Sequence, residues 1–279
     1  HALADTLTMV ALMAVGAGMY FHRNRLLQLA ILVSVPLMGV AMLITAVRNA
    51  AGSAVLGAAA LLLVRRRFDL AILVAIVGGL AVYQVDAMTG GAAVERISSV
   101  VDNPAFTSRR IYRPWRTAAR FVMENPLGGG IATGIGIGRV SNLSPSTFDP
   151  ENQLPFVENE YGRALLELGI PGFIFFMWLL YAVNRSNYRA YRDAIQERDK
   201  WLLAGLFAAC VSMLARLLVG PSLYGWPEAP IFWFYTAIAA RIPLIEDREL
   251  MRSQTPNSEA RATVLGDREL PWARDEDRE

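Results

Sequence analysis

The chain has 279 residues, of which 54 % are hydrophobic and only 19 % charged. A soluble domain carries roughly a quarter charged residues, so this composition excludes an ordinary globule and points to an all-α, polytopic membrane bundle. A formal net charge of +2 is too balanced for a nucleic-acid reader, and no basic face is interleaved with stacking aromatics.

Seven apolar runs are long enough, or nearly so, to be membrane helices. They lie at about Thr6–Phe21, Leu26–Val47, Ala50–Val64, Leu70–Met88, Leu168–Val183, Trp201–Val219 and Ala229–Ile242. The third run is built from Ala, Gly, Leu and Val, a composition that lets helix backbones approach closely. Arg23, Arg25, Arg65, Arg66, Arg67, Arg185, Arg189, Arg192, Arg198 and Lys200 fall on one side of an alternating seven-span path. The opposite short turns carry only Arg48. This bias orients the richly charged turns to the cytoplasm. The chain then divides into four spans over 1–88, a large extracytoplasmic helical loop over 89–167, three spans over 168–245 and a disordered cytoplasmic tail over 246–279. It begins at His1 without a charged leader before an apolar core, so it reads as a fragment or processed product with further spans expected upstream.

The outer loop is where function is expected, because long loops in compact chains are usually functional or disordered. In its first half Ile111, Trp115, Ala118 and Val122 recur at helical spacing, and Arg109, Arg113, Arg116 and Arg120 form a second stripe. Pro114 belongs in the first turn of such a helix, which would lie in the membrane interface with its arginines toward anionic headgroups. Arg109 and Arg110, on the approach to the helix, could instead grip a phosphorylated ligand, since guanidinium forks match phosphate oxygens. The glycine-rich stretch from Asn125 to Gly138 lacks the lysine, hydroxyl and preceding strand of a nucleotide loop. A permissive turn close to other backbone or to lipid is the better expectation.

The second half of the loop reads as a helix from Val157 to Gly172. Glu160, Arg163 and Glu167 are spaced as a structural ion-pair ladder. Glu158 shares the register of Tyr161, Leu165 and Leu168 on the apolar face, where a carboxylate is costly unless paired. It is therefore a candidate general base, with helix capping as the competing role. Arg48 stands at the outer end of a span, and Arg216 lies inside the sixth run about one turn from Gly220-Pro221. Ionisable residues within spans mark function by default, with snorkelling as the alternative. The only cysteine, Cys210, lies in an apolar run, and the two histidines, His1 and His22, are too few for an imidazole zinc centre. No metal or cofactor is expected.

Arg110 and Trp115, then Glu-Asn-Pro-Leu-Gly-Gly-Gly at 124–130, then Glu158-Asn159 and Gly-Ile-Pro-Gly at 169–172, together resemble the bacterial O-antigen ligase/polymerase superfamily. Arg48, shortly before a small-residue helix, fits the same pattern, and the resemblance covers roughly Leu26 to Ile242. It implies a metal-independent glycosyltransferase of the inner membrane whose active site faces outside. The donor would be a glycan linked to undecaprenyl diphosphate, and the acceptor a glycan or a lipid. Arg48, Arg110 and Arg216 would bind the diphosphate and stabilise the leaving group, with Glu158 as base and Arg109, Arg113 and Asn159 in substrate binding. Ligases of the superfamily usually carry histidine at the position of Glu158, whereas polymerases vary more there. Ligation and polymerisation both stay open. Two other readings are an anionic-solute transporter using the same arginines and a non-catalytic partner in envelope assembly. No internal repeat of the span pattern supports transport.

Overall fold

The computed structural model describes residues 2–44, 48–66, 112–131, 159–220 and 227–254, together with Ala87 and Leu223. All regular structure among the described residues is helical: α1 (Ala2–Tyr20), α2 (Arg25–Ile44), α3 (Arg48–Arg65), α4 (Arg113–Glu124), α5 (Glu160–Asp193), α6 (Glu197–Leu217) and α7 (Glu228–Gln254). Four are long and apolar enough to cross a membrane, namely α1, α2, α5 and α6, while Ala50–Arg65 is a shorter apolar helix. The expected span at Leu70–Met88 lies outside the described residues apart from Ala87.

Helix α6 is the axis of the bundle. Its Leu203, Ala204, Leu206, Ala208, Ala209, Cys210, Met213 and Leu217 are buried beneath α1, α3, α5 and α7, all of which pack on it. Small residues set the closest crossings. A Cβ at Gly16 of α1 would lie 2.6 Å from the Trp201 carbonyl oxygen and 3.0 Å from Gly205 Cα. On α3, a Cβ at Gly57 would meet Ser212 Cβ at 2.9 Å and the Ala208 oxygen at 3.0 Å. The close packing expected of the third run is present. By contrast, α2 packs mainly on α1 and leaves Leu29, Val33 and Leu37 exposed, as suits a lipid-facing helix.

Every neighbour of α6 runs antiparallel to it, so charges collect at two ends. At one end Asp5 of α1 meets Arg216 of α6. At the other, Arg65 of α3 meets Glu197, Arg198 lies over the Tyr20 ring, and Glu246 of α7 accepts from the backbone amides of Ile195 and Gln196 at 3.2 and 3.1 Å. That last contact corrects the expectation of disorder from residue 246. Helix α7 continues through Gln254, because the buried Glu246 carboxylate satisfies amides at the α5–α6 turn that have no helical partner.

Candidate functional site

The Asp5–Arg216 end of the bundle is organised by a break in α5. Gly169 has φ 66° and ψ −169°, a conformation essentially reserved for glycine, and Pro171 supplies no amide to the turn before it. The carbonyls of Leu166 and Glu167 are thereby released. They accept the amides of Gly129 and Gly130 at 2.9 and 3.0 Å, while the Ile170 amide donates to the Pro126 oxygen at 3.0 Å. Asn-Pro-Leu-Gly-Gly-Gly and Gly-Ile-Pro-Gly thus cap one another. Gly128, at φ 84°, faces Gly169 so closely that a Cβ on either would overlap the other segment's backbone. Of the stretch expected to turn, Asn125 to Gly138, the part through residue 131 is described and does turn, and its Gly129 and Gly130 amides serve helix carbonyls; the rest lies outside the described residues.

Helix α4 lies against the first part of α5 through Ala118, Leu166 and the partly buried Phe121 and Leu165, and Trp115 meets Phe173 edge-on at 5.9 Å. Its amphipathic reading holds: Pro114, in the first turn, Ala118 and Val122 are buried, whereas Arg113, Arg116 and Arg120 are exposed. Beneath it, the Arg163–Glu167 rung of the expected ladder forms at 2.9 Å and is buried, not solvated. Glu160 is buried as well.

The start of α5 is sewn to the end of α6. Asn159 Oδ1 accepts the Gly162 amide at 3.0 Å and its Nδ2 donates to the Leu218 carbonyl at 2.6 Å. Tyr161 donates its hydroxyl to the Leu214 carbonyl at 3.1 Å. Asn159 is therefore the N-cap. The Asn159 oxygen reaches the third amide of the helix. Glu158 itself, immediately before this cap, lies outside the described residues, as do Arg109 and Arg110.

Arg216 is buried rather than snorkelling. Its Nη2 bonds Asp5 Oδ2 at 2.6 Å, with side-chain exposures of 7 % and 3 %. Nε and Nη1 have no acceptor among the described residues. Gly220 passes directly over this guanidinium, where any larger residue would collide with it. Glu228, the first residue of α7, is also buried. Burial pushes its carboxyl above the usual range and the Asp5 charge adds to this, while its own backbone hydrogen bond and Arg216 act the other way. Arg48 begins α3 at this same end, since Ala50 packs against Ala4 beside Asp5.

The structure brings Arg216, Asn159 and the start of α3 to one bundle end, with α4 and Arg113 attached through α5. Asp5 and Glu228 were not singled out from the sequence. The rule that ionisable residues in spans mark function, applied to Arg216, also selects Asp5 at the edge of the first run.

Helices of membrane-crossing length, with a buried arginine at one bundle end and an amphipathic helix beside it, define a polytopic helical membrane protein. The O-antigen ligase family model matches residues 33–177, just over half of the chain, and the chain belongs to that family. The match takes in Arg48, the α4 region, the glycine lock and the start of α5, and stops before Arg216. No curated protein matches the chain. Membership makes this a bacterial membrane protein of the glycosyl-transfer type, concerned with lipid-linked glycan and acceptor substrates in polysaccharide biosynthesis.

Proposed function

We propose that the protein transfers a glycan from a polyprenyl diphosphate of the undecaprenyl type to an acceptor glycan or lipid, at the outer face of the inner membrane and without a metal. The observation that carries this is Arg216: a buried guanidinium held by one carboxylate, with Nε and Nη1 unpaired among the described residues. Asp5 fixes the fork, and the remaining donors suit diphosphate oxygens bidentately. The membrane face rests on the positive-inside bias, since the opposite end carries Arg65, Arg66, Arg192 and Lys200.

In the proposed step the acceptor hydroxyl oxygen attacks the anomeric carbon of the donor sugar. The bond from that carbon to the diphosphate oxygen breaks and its electron pair leaves with the polyprenyl diphosphate. Arg48, Arg110 and Arg216 stabilise the charge developing there, and Arg109 and Arg113 hold the donor's outer phosphate and sugar. Glu158 takes the hydroxyl proton. Asn159, with both ends of its amide engaged in the fold, serves substrate binding as a positioning residue that fixes the chain beside Glu158.

The test uses full-length protein in lipid with a polyprenyl-diphosphate glycan and candidate acceptors. Glu158→Gln is expected to abolish transfer while donor binding and thermal unfolding stay near those of the parent. Undiminished turnover in that variant would remove Glu158 from the chemistry.

A further inference from the structure

At the end of the bundle opposite Arg216, a cavity of about 590 Å³ opens between the end of α3, the last turns of α5 and the start of α6. Its wall carries four cations, Arg65, Arg66, Arg192 and Lys200, against the single carboxylate of Glu197. Glu197 is shared between Arg65 at 3.0 Å and Lys200 at 3.2 Å, and Arg192 has the exposed Asp193 at 2.9 Å. Even with both carboxylates counted, positive charge is in excess.

Two contacts hold parts of the cavity wall in place. Arg65 is stacked over Trp201 at 4.2 Å, and Tyr191 ties the α5 wall to α3 by donating to the Val64 carbonyl at 2.9 Å. Arg66 holds φ 52°, a left-handed conformation that helix ends normally give to glycine or asparagine. It makes no ion pair among the described residues. The N-terminus of α6 adds its dipole at the same place. Beside the charges Leu63 is 63 % exposed, which gives an apolar exit toward lipid.

We propose that this cavity binds a phosphate group, of the kind carried by an anionic phospholipid headgroup or by free phosphate, separately from the arginine site at the far end. Basic pockets between membrane helices bind such headgroups. The Leu63 edge offers an acyl chain a path out of the cavity.

The test is native mass spectrometry of the full-length protein with phosphatidylglycerol, phosphatidylethanolamine and inorganic phosphate as separate probes. Arg66→Gln and Arg192→Gln remove charge inside the cavity. Arg23→Gln removes charge at the same bundle end but outside it. Preferential retention of phosphatidylglycerol over phosphatidylethanolamine, reduced about fivefold by each cavity substitution and untouched by Arg23→Gln, supports a lipid headgroup site. Retention of inorganic phosphate with the same dependence on Arg66 and Arg192, without a lipid preference, supports a free-phosphate site. Equal retention of both lipids with no phosphate binding overturns the proposal, as does an equal loss in Arg23→Gln.

Discussion

Replacing Gly169 by alanine tests the lock between the two glycine motifs. Its φ of 66° and ψ of −169° cost a side chain on the order of 1–3 kcal/mol in backbone strain. The new Cβ would also overlap the Pro126 oxygen, the Leu127 carbonyl carbon and the Gly128 nitrogen. All three are backbone atoms, so relief requires the segments to part. Parting weakens the bonds from Gly129 to Leu166, from Gly130 to Glu167 and from Ile170 to Pro126, each contributing about 1 kcal/mol net. With all three bonds lost the combined loss is about 4–6 kcal/mol, a large share of the roughly 5–15 kcal/mol that holds a typical protein folded. Thermal unfolding of purified protein in lipid should show Tm lowered by on the order of 5–10 °C. Gly130→Ala, with a left-handed φ of 87° but open space around it, should lose only the conformational part, about 1–2 kcal/mol. Gly52→Ala, helical and unobstructed, should be neutral or gain up to about 1 kcal/mol. If Gly169→Ala unfolds where Gly52→Ala does, the two motifs do not depend on one another.

Three further outcomes follow from the arginine end. Asp5→Asn should destabilise by about 3–5 kcal/mol, because it leaves Arg216 buried without its counter-charge; Asp5→Leu with Arg216→Met should recover most of that loss in thermal unfolding. The raised Glu228 carboxyl gives stability that is fully present below its ordinary value of 4.5 and lost as pH rises through its raised folded value. Unfolding followed across that range should show a downward slope that Glu228→Gln removes. Arg216→Lys should lower kcat more than donor binding, since one ammonium cannot keep the Asp5 bond and also present a fork to the leaving diphosphate; equal kcat in steady-state turnover would count against this role.

Local features were legible because their cause is local. The 3.6-residue alternation and Pro114 defined α4, and the small residues of the third run announced the close approach at Gly57. The Glu-Asn pair and the two glycine motifs pointed to the family. What stayed hidden depends on partners far along the chain. Nothing near Gly128 indicates that its amide neighbours would cap carbonyls at Leu166 and Glu167. Glu246 sits in a polar stretch that reads as a tail until the amides of Ile195 and Gln196 are set beside it. Arg216 was visible as a charge in a span, but its burial against Asp5 needs two helices from opposite ends of the chain. Asn159 shows the reverse case, where a residue marked for substrate binding has its amide engaged at a helix cap and a helix end.

The most direct measurement is release of polyprenyl diphosphate by full-length protein in lipid, supplied with a lipid-linked glycan and candidate acceptors, with Glu158→Gln, Arg216→Ala and Arg110→Ala alongside. Release coupled to acceptor extension, and lost in all three variants, is the predicted result; a product ladder would mean polymerisation and a single transferred chain ligation. Intact protein that releases no polyprenyl diphosphate from any of several donors would contradict glycan transfer at this site.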